Sequence, residues 1–308
     1  MSTTVTEAAT APAHTNGSSP PPPHSFQSSA YAKALGALEE MSWLEAVAQR
    51  LDAVLTPVTE RRPLMDTLHG RWIGHALHPA LSDLPIGFWA AVPVLDAAGD
   101  DGGAMALTAA GCVAAGAAAV TGTADWTVSH GREKRLGLLH GVVNAAGLVL
   151  QIGSLAARLG RRTRAARVLS LAGLGTSTAA AFVGGELVFG RGLMVDHNAW
   201  TAGPAQWTPV LDDSALAEGA TQSVEVEGRR VLVTRIDGRL SAMEDACTHA
   251  GGPLSEGTIQ DGVVQCPWHG SRFCLRDGSV VGGPATFPQL RLQTRVVDGR
   301  IELRGREG

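Results

Sequence analysis

Two stretches of this chain carry no charged side chain: residues 102 to 124, 23 positions, and residues 136 to 157, 22 positions. A helix that crosses the hydrocarbon core of a bilayer needs about 20 mostly apolar residues, because its backbone polar groups must be satisfied within the helix along the whole thickness. Both stretches are long enough. Residues 168 to 185 add 18 uncharged positions before Glu186, extended by Leu187, Val188 and Phe189. A shorter run, LPIGFWAAVPVL at 84 to 95, lies between Asp83 and Asp96. An alanine-rich soluble bundle is the competing reading. Four such segments in succession, with Gly and Ala abundant enough for helices to approach closely in lipid, favour a four-helix transmembrane domain over 68–200.

Ahead of this domain, residues 1–30 are rich in Ser, Thr, Ala and Pro, with PPPP at 20 to 23. They hold too few apolar groups to offset the entropy of ordering, so a disordered tail without a secretory signal is expected. From Tyr31 to Leu55, residues Leu35, Leu38, Trp43, Leu44, Val47, Leu51 and Leu55 recur at spacings of three or four. That pattern predicts an amphipathic helix, soluble or interfacial, within a helix-and-linker segment 31–67. A formal charge of −4 gives no electrostatic reason to expect nucleic acid. Four cysteines in 308 residues are too few for a disulfide framework.

After Gly190 the pattern shifts to short alternating runs: VEVEG, RRVLVTRIDG, RLSAMED, VVQC, SVVG, RLQTRVV and RIELRG. Asp-Gly pairs at 237, 261, 277 and 298 supply tight turns. Residues 208–308 are therefore expected to form a small all-β domain, joined to the last span by the linker 197–207. Within it stand Cys247 and His249, then sixteen residues, then Cys266 and His269. Two thiolates and two imidazoles suit either a tetrahedral zinc ion or a two-iron cluster. Zinc fingers usually pair like ligands within one loop. Here each loop offers one sulfur and one nitrogen, as a cluster with sulfur ligands on one iron and nitrogen ligands on the other requires. Cys274 falls outside the pattern and Cys112 sits amid alanines, and both read as small buried side chains.

CTHAGG followed by CPWHGSRF resembles the two binding loops of a Rieske [2Fe-2S] domain, and GGPATFPQL at 282 to 290 resembles the proline-bearing loop that closes over the cluster in that family. The resemblance covers residues 208–308. It implies Cys247, His249, Cys266 and His269 as cluster ligands, and Ser271 as a hydroxyl donor toward the cluster's sulfurs, which raises the potential. Members that oxidise quinols carry an additional cysteine in each loop and a tyrosine two residues after the serine. Here the loops have Gly251, Gly252 and Trp268, and the tyrosine place is Phe273. The centre therefore resembles the ferredoxin type, with a potential toward the lower end of the range of about −150 to +300 mV. Only 39 residues follow His269, too few for a catalytic iron domain of a ring-hydroxylating oxygenase.

Upstream, LHGRWIGHALHPALSDLPIGFWAAVPVLDAAG at 68 to 99 is similar to a bacterial four-helix membrane family of uncharacterised function that is sometimes found ahead of a Rieske domain. His75, His78, His130 and His140 lie near or within its spans, and two of them could ligate a b-type haem; helix capping is the plainer alternative. Counting Arg and Lys with the N-terminus inside gives seven cytoplasmic flanking residues against five outside, a small bias toward a β domain on the cytoplasmic side. The absence of the disulfide cysteines agrees with a reducing compartment. Together these features predict a multi-domain protein of the bacterial inner membrane, an α-helical four-span membrane domain followed by an all-β Rieske-type domain. It would carry single electrons between a redox partner protein or the quinone pool, docking through an exposed edge at His249 and His269. A quinol-oxidising subunit and a redox sensor are the alternatives.

Overall fold

The computed structural model describes residues 41–305 together with Lys33, Gly36 and Ala37. The chain divides into two units, Met1–Glu40 and Met41–Gly308, and the second contains everything that follows. The tail expected over 1–30 lies outside the described residues, as do Leu35 and Leu38 of the expected amphipathic helix.

Helix α1 spans Ser42–Thr59 and the short α2 spans Arg62–Leu68. In α1, Leu44 and Ala48 are buried, while Trp43, Leu51, Val54 and Val58 face outward. The helix begins at Ser42 and runs on to Thr59, and of the expected apolar stripe Leu44 alone is buried among the described residues, with Trp43, Val47 and Leu51 exposed. Ion pairs from Asp52 to Lys134 at 2.7 Å and from Glu45 to Arg135 at 3.0 Å tie α1 to the start of α5.

The bundle follows as α3 (Leu77–Ala98), α4 (Asp101–Thr127), α5 (Gly131–Leu159) and α6 (Thr163–Gly185), with α6 prolonged through a wider turn, Glu186–Gly190. Gly99, in the left-handed region, ends α3, and the Asp100 carboxylate accepts from the Gly103 N–H at 2.8 Å to begin α4. The first span is longer than the twelve-residue run predicts, because His78, Pro79 and Asp83 are all helical. Neighbours in the bundle are α3 with α4, α4 with α5, α5 with α6 and α6 with α3, which leaves α3 and α5 facing each other diagonally.

Burial in this bundle runs opposite to that of a soluble one. Thr108, Thr121, Gln151, Ser154, Ser170 and Ser177 are buried, while Val94, Val113, Val149, Ile152, Leu171 and Phe182 point outward. Polar side chains inside find carbonyls: the Gln151 amide donates to Ser170 O at 3.1 Å and the Ser154 hydroxyl to Ala166 O at 2.7 Å. All four helices are long and apolar enough to cross a membrane. Outward valines and leucines with inward hydroxyls are what lipid on the outside selects.

The remainder is all-β, in two antiparallel sheets. One has six strands in the order β1-β10-β9-β4-β3-β2, namely Thr208–Asp212, Arg300–Arg304, Arg291–Val297, Arg239–Glu244, Arg229–Ile236 and Thr221–Val226. The other has four in the order β5-β6-β7-β8, namely Thr258–Gln260, Val263–Gln265, Arg272–Cys274 and Val280–Gly282. Strands β1 and β5 escape the alternation pattern because they are short and half-exposed. Asp237, Asp261 and Asp298 take positive φ ahead of their glycines, as two-residue hairpins demand. Asp277 does not; its carboxylate accepts from the Ser279 N–H at 3.0 Å, and Gly278 alone is left-handed.

The segment read as a linker is bound to the β domain. His197 N–H donates to Thr248 O at 3.1 Å, the Asn198 amide donates to Ala246 O at 2.8 Å, and Gly203 lies directly against Gly305.

Candidate metal centre

Two loops of nearly identical backbone design hold the four predicted residues. In the first, after β4, Cys247 N–H donates to Gly252 O at 2.9 Å and Cys247 O accepts from Gly251 N–H at 2.8 Å. In the second, between β6 and β7, Cys266 N–H donates to Ser271 O at 2.8 Å and Cys266 O accepts from Gly270 N–H at 3.1 Å. Each loop reverses at a left-handed glycine, Gly251 with φ 73 and Gly270 with φ 72. The next glycine of the first loop serves another purpose, since a Cβ on Gly252 would lie 2.9 Å from Cys266 Sγ.

The loop after β8 closes over both. Thr248 hydroxyl donates to Phe287 O at 3.0 Å, the Gln289 amide donates to Ala246 O at 2.8 Å, and its carbonyl oxygen accepts from Thr248 N–H at 3.2 Å. Ser271, fully buried, accepts from Ala285 N–H at 3.2 Å, which leaves its own proton for another acceptor.

The structure brings the four side chains together as two pairs. Cys247 and Cys266 are 1 % and 2 % exposed. A hydrogen bond to Cys266, then burial, pushes the Cys247 thiol up, while the same bond and the N–H groups of Trp268 and His269 bring Cys266 down to about 6. Backbone N–H donors are thus already aimed at the sulfurs. The His249 and His269 rings stand 4.9 Å apart, edge to face. Burial, followed by the neighbouring His269, His69, His197 and His130, lowers His249 to about 3; burial, His130 and Lys134 lower His269 to about 4. Both imidazoles are therefore neutral, the form that binds metal.

His249 has both ring nitrogens buried without a hydrogen-bond partner among the described residues. A buried imidazole with two orphaned nitrogens costs stability unless something binds it. Among the described residues no three His, Cys, Asp or Glu side chains gather round one point, as a single four-ligand ion would require. A thiol pair and an imidazole pair fit a two-iron group in which each iron takes one pair. Cys274, in β7, and Cys112 are half-buried rather than buried, and neither joins the group.

The expected exposed histidine edge is present only at His269, which is half-buried; His249 is not part of it. His249 is 5 % exposed, and His269 Nε2 lies 2.9 Å from Nδ1 of His130, at the start of α5. Beside this contact, Arg71 donates to Val281 O at 2.6 Å and pairs with Asp66 at 2.7 Å, and Asp66 accepts from Gly283 N–H at 3.1 Å. The helical domain thus meets the β domain beside His269, and the histidine contact itself stays exposed. His69, fully buried and bonded to Asp125 at 2.9 Å, also lies in this region and was not among the residues predicted. The signal for it was available, because HGR occurs at both 69–71 and 130–132.

A model of the Rieske [2Fe-2S] domain matches residues 206–294, and a model described as a predicted membrane protein (DUF2231) matches residues 74–197. The chain is 36 % identical over 102 residues to the anthranilate 1,2-dioxygenase ferredoxin subunit of Burkholderia cepacia, covering 32 % of this chain and 92 % of that protein. It is 37 % identical over 103 residues to the ferredoxin component of biphenyl 2,3-dioxygenase from Rhodococcus jostii (strain RHA1), covering 32 % of this chain and 94 % of that one. A solved ferredoxin, in complex with the oxygenase of carbazole 1,9a-dioxygenase, is 31 % identical, with a TM-score of 0.32 over 33 % of this chain and 95 % of that chain. A [2Fe-2S] cluster is the cofactor that such a domain implies. With a ferredoxin-like β domain matched over nearly its whole length and a helical membrane domain ahead of it, the chain belongs to the Rieske [2Fe-2S] family.

Proposed function

We propose that this protein is a membrane-anchored carrier of single electrons, with Cys247, His249, Cys266 and His269 as the ligands of its [2Fe-2S] cluster. When bound, such a cluster takes up or releases one electron at a time. The two cysteines would hold one iron and the two histidines the other. Backbone N–H groups of His249, Ala250, Trp268 and His269 favour the thiolates, and the Ser271 hydroxyl proton is available to a cluster sulfur. Phe273 is buried in the hydrophobic core and brings no hydroxyl, and Gly251, Gly252 and Trp268 bring no disulfide. Fewer donors and no covalent clamp support a ferredoxin-type potential below about +200 mV.

The observation that carries the reading is the 2.9 Å contact between His269 and His130. It sets the outward nitrogen of a cluster-binding residue against the helical domain, so electrons would pass between the β domain and groups at the membrane surface. The charge bias supports the cytoplasmic face of a bacterial inner membrane, with a reductase or oxygenase-type protein as partner. A quinol donor is the second reading. A cavity of about 410 Å³ next to His269, also lined by Met65, His69, Thr127 and Arg272, favours it. Electron paramagnetic resonance of the dithionite-reduced protein tests the first reading. A mean g value lowered by histidine ligation and a midpoint below about +200 mV are expected. An all-cysteine signal, or zinc without acid-labile sulfide, would refute it. Quinol-dependent reduction of the cluster in membranes would favour the second.

A further inference from the structure

The helical domain is built twice. His78 Nδ1 lies 2.9 Å from Ala118 O and His140 Nδ1 lies 2.8 Å from Ala180 O, each pair 40 residues apart in sequence. The Trp89 N–H donates to Thr108 O and the Gln151 amide to Ser170 O, each pair 19 residues apart. Gly122 lies against the His78 ring and Gly184 against the His140 ring; a Cβ on either would meet the imidazole at 2.6 Å and 2.9 Å. Leu-His opens the matched stretch in both halves, at 77–78 and 139–140. The hairpin α3–α4 and the hairpin α5–α6 are thus two copies of one unit, related by an approximate two-fold axis along the bundle.

That axis brings the duplicated histidines face to face. His78 on α3 and His140 on α5, the diagonal pair of helices, have ring centroids 6.4 Å apart and ring planes at 87°. In each, Nδ1 is engaged by a backbone carbonyl, which fixes the tautomer that leaves Nε2 as the basic nitrogen. Asn144 reaches His140 Nε2 at 3.1 Å, but also bonds His140 O at 3.1 Å, so it keeps a partner when Nε2 is taken. Two imidazoles bonded to opposite sides of one metal at about 2 Å have centroids about 6 Å apart once the distance from nitrogen to ring centre is added.

We propose that His78 and His140 are the axial ligands of a haem iron in the core of the bundle. Charge balance selects haem over a bare ion. Among the described residues no carboxylate or thiolate joins the pair, and an uncompensated divalent cation at membrane depth is costly. A porphyrin carries two negative charges that neutralise a ferrous iron. Cofactor sites in bundles are formed by side chains on facing helices, and Gly122 and Gly184 leave the room that the two imidazoles occupy. His75, whose ring packs near Phe287 of the β domain, places this end of α3 toward the cluster side.

The full chain, expressed with a haem precursor and purified in detergent, decides this. A Soret band with a low-spin bis-imidazole spectrum at about one haem per chain is expected. His78→Ala and His140→Ala should each abolish it and His75→Ala should not, while the cluster's resonance signal in the same samples reports intact protein. If His78→Ala fails to accumulate, His78→Met should keep the haem and shift the spectrum; an unchanged spectrum would overturn the assignment. Cluster-loaded protein without haem, or with copper or zinc in its place, overturns the haem site and leaves the electron carrier standing. Haem in a chain that lacks the cluster supports the site and counts against the carrier alone.

Discussion

At the end of the bundle away from the β domain, Asp96 and Arg158 form a bidentate pair, with both bonds at 2.8 Å. Their side chains are 8 % and 5 % exposed. They occupy equivalent positions in the two hairpins, so the approximate axis that pairs the histidines at one end pairs opposite charges at the other. Changing Asp96→Asn keeps the shape and removes the charge, which strands a buried guanidinium; breaking such a pair costs about 3–5 kcal/mol. At about 1.4 kcal/mol per factor of ten, the folding equilibrium should fall by roughly two to three and a half orders of magnitude. The 3.5 Å contact from Arg167 goes to the same carboxylate and is lost with it, but Arg167 is half-exposed and water can take over its charge. Replacing both partners with apolar residues, Asp96→Leu with Arg158→Met, should recover most of the loss, because an apolar pair has no charge to desolvate. Denaturant titration in detergent micelles, followed through the fluorescence of the buried Trp89 on the same helix, measures each corner of the cycle. A single substitution that costs less than about 1 kcal/mol, with no coupling to the second, would mean that the pair is solvated and that the bundle end is open.

Three other outcomes are expected. Gly252→Ala should lower iron and acid-labile sulfide per chain, because the new methyl carbon would lie 2.9 Å from Cys266 Sγ, whereas Cys274→Ser should leave both unchanged. His130→Ala should retain the cluster and make the 191–207 segment more susceptible to limited proteolysis, since it removes the 2.9 Å bond between the two domains. The Ser279 hydroxyl and N–H hold the Asp277 carboxyl down at about 2, against 3.8 unperturbed. Its contribution is therefore present above pH 3.8 and lost as pH falls toward 2. Acid unfolding of Asp277→Asn should differ from the parent above that window and converge with it below.

The cluster loops were legible because ligand chemistry is local. Cys247 with His249, and Cys266 with His269, each sit on one hairpin tip with a glycine that allows the reversal. The repeated hydrogen-bonding pattern of the two loops follows from those few residues. Strand periods and Asp-Gly turns were legible for the same reason, with Asp277 as the exception, where a side-chain cap replaces the positive backbone angle. Internal duplication was also present in the text, in HGR and Leu-His repeated at a near-constant offset, but divergence of Trp89 to Gln151 and of Asp96 to Arg158 hides it from any reading of one segment at a time.

The sequence by itself determined the length and apolarity of four spans, the β domain behind them and the four residues proposed as cluster ligands, because each depends on neighbours a few positions apart. Only the tertiary structure decided that His130 meets His269, that His69 pairs with Asp125, and that His78 faces His140. Those contacts join residues many turns apart, and their distances are set by how helices and sheets pack, which no local spacing encodes.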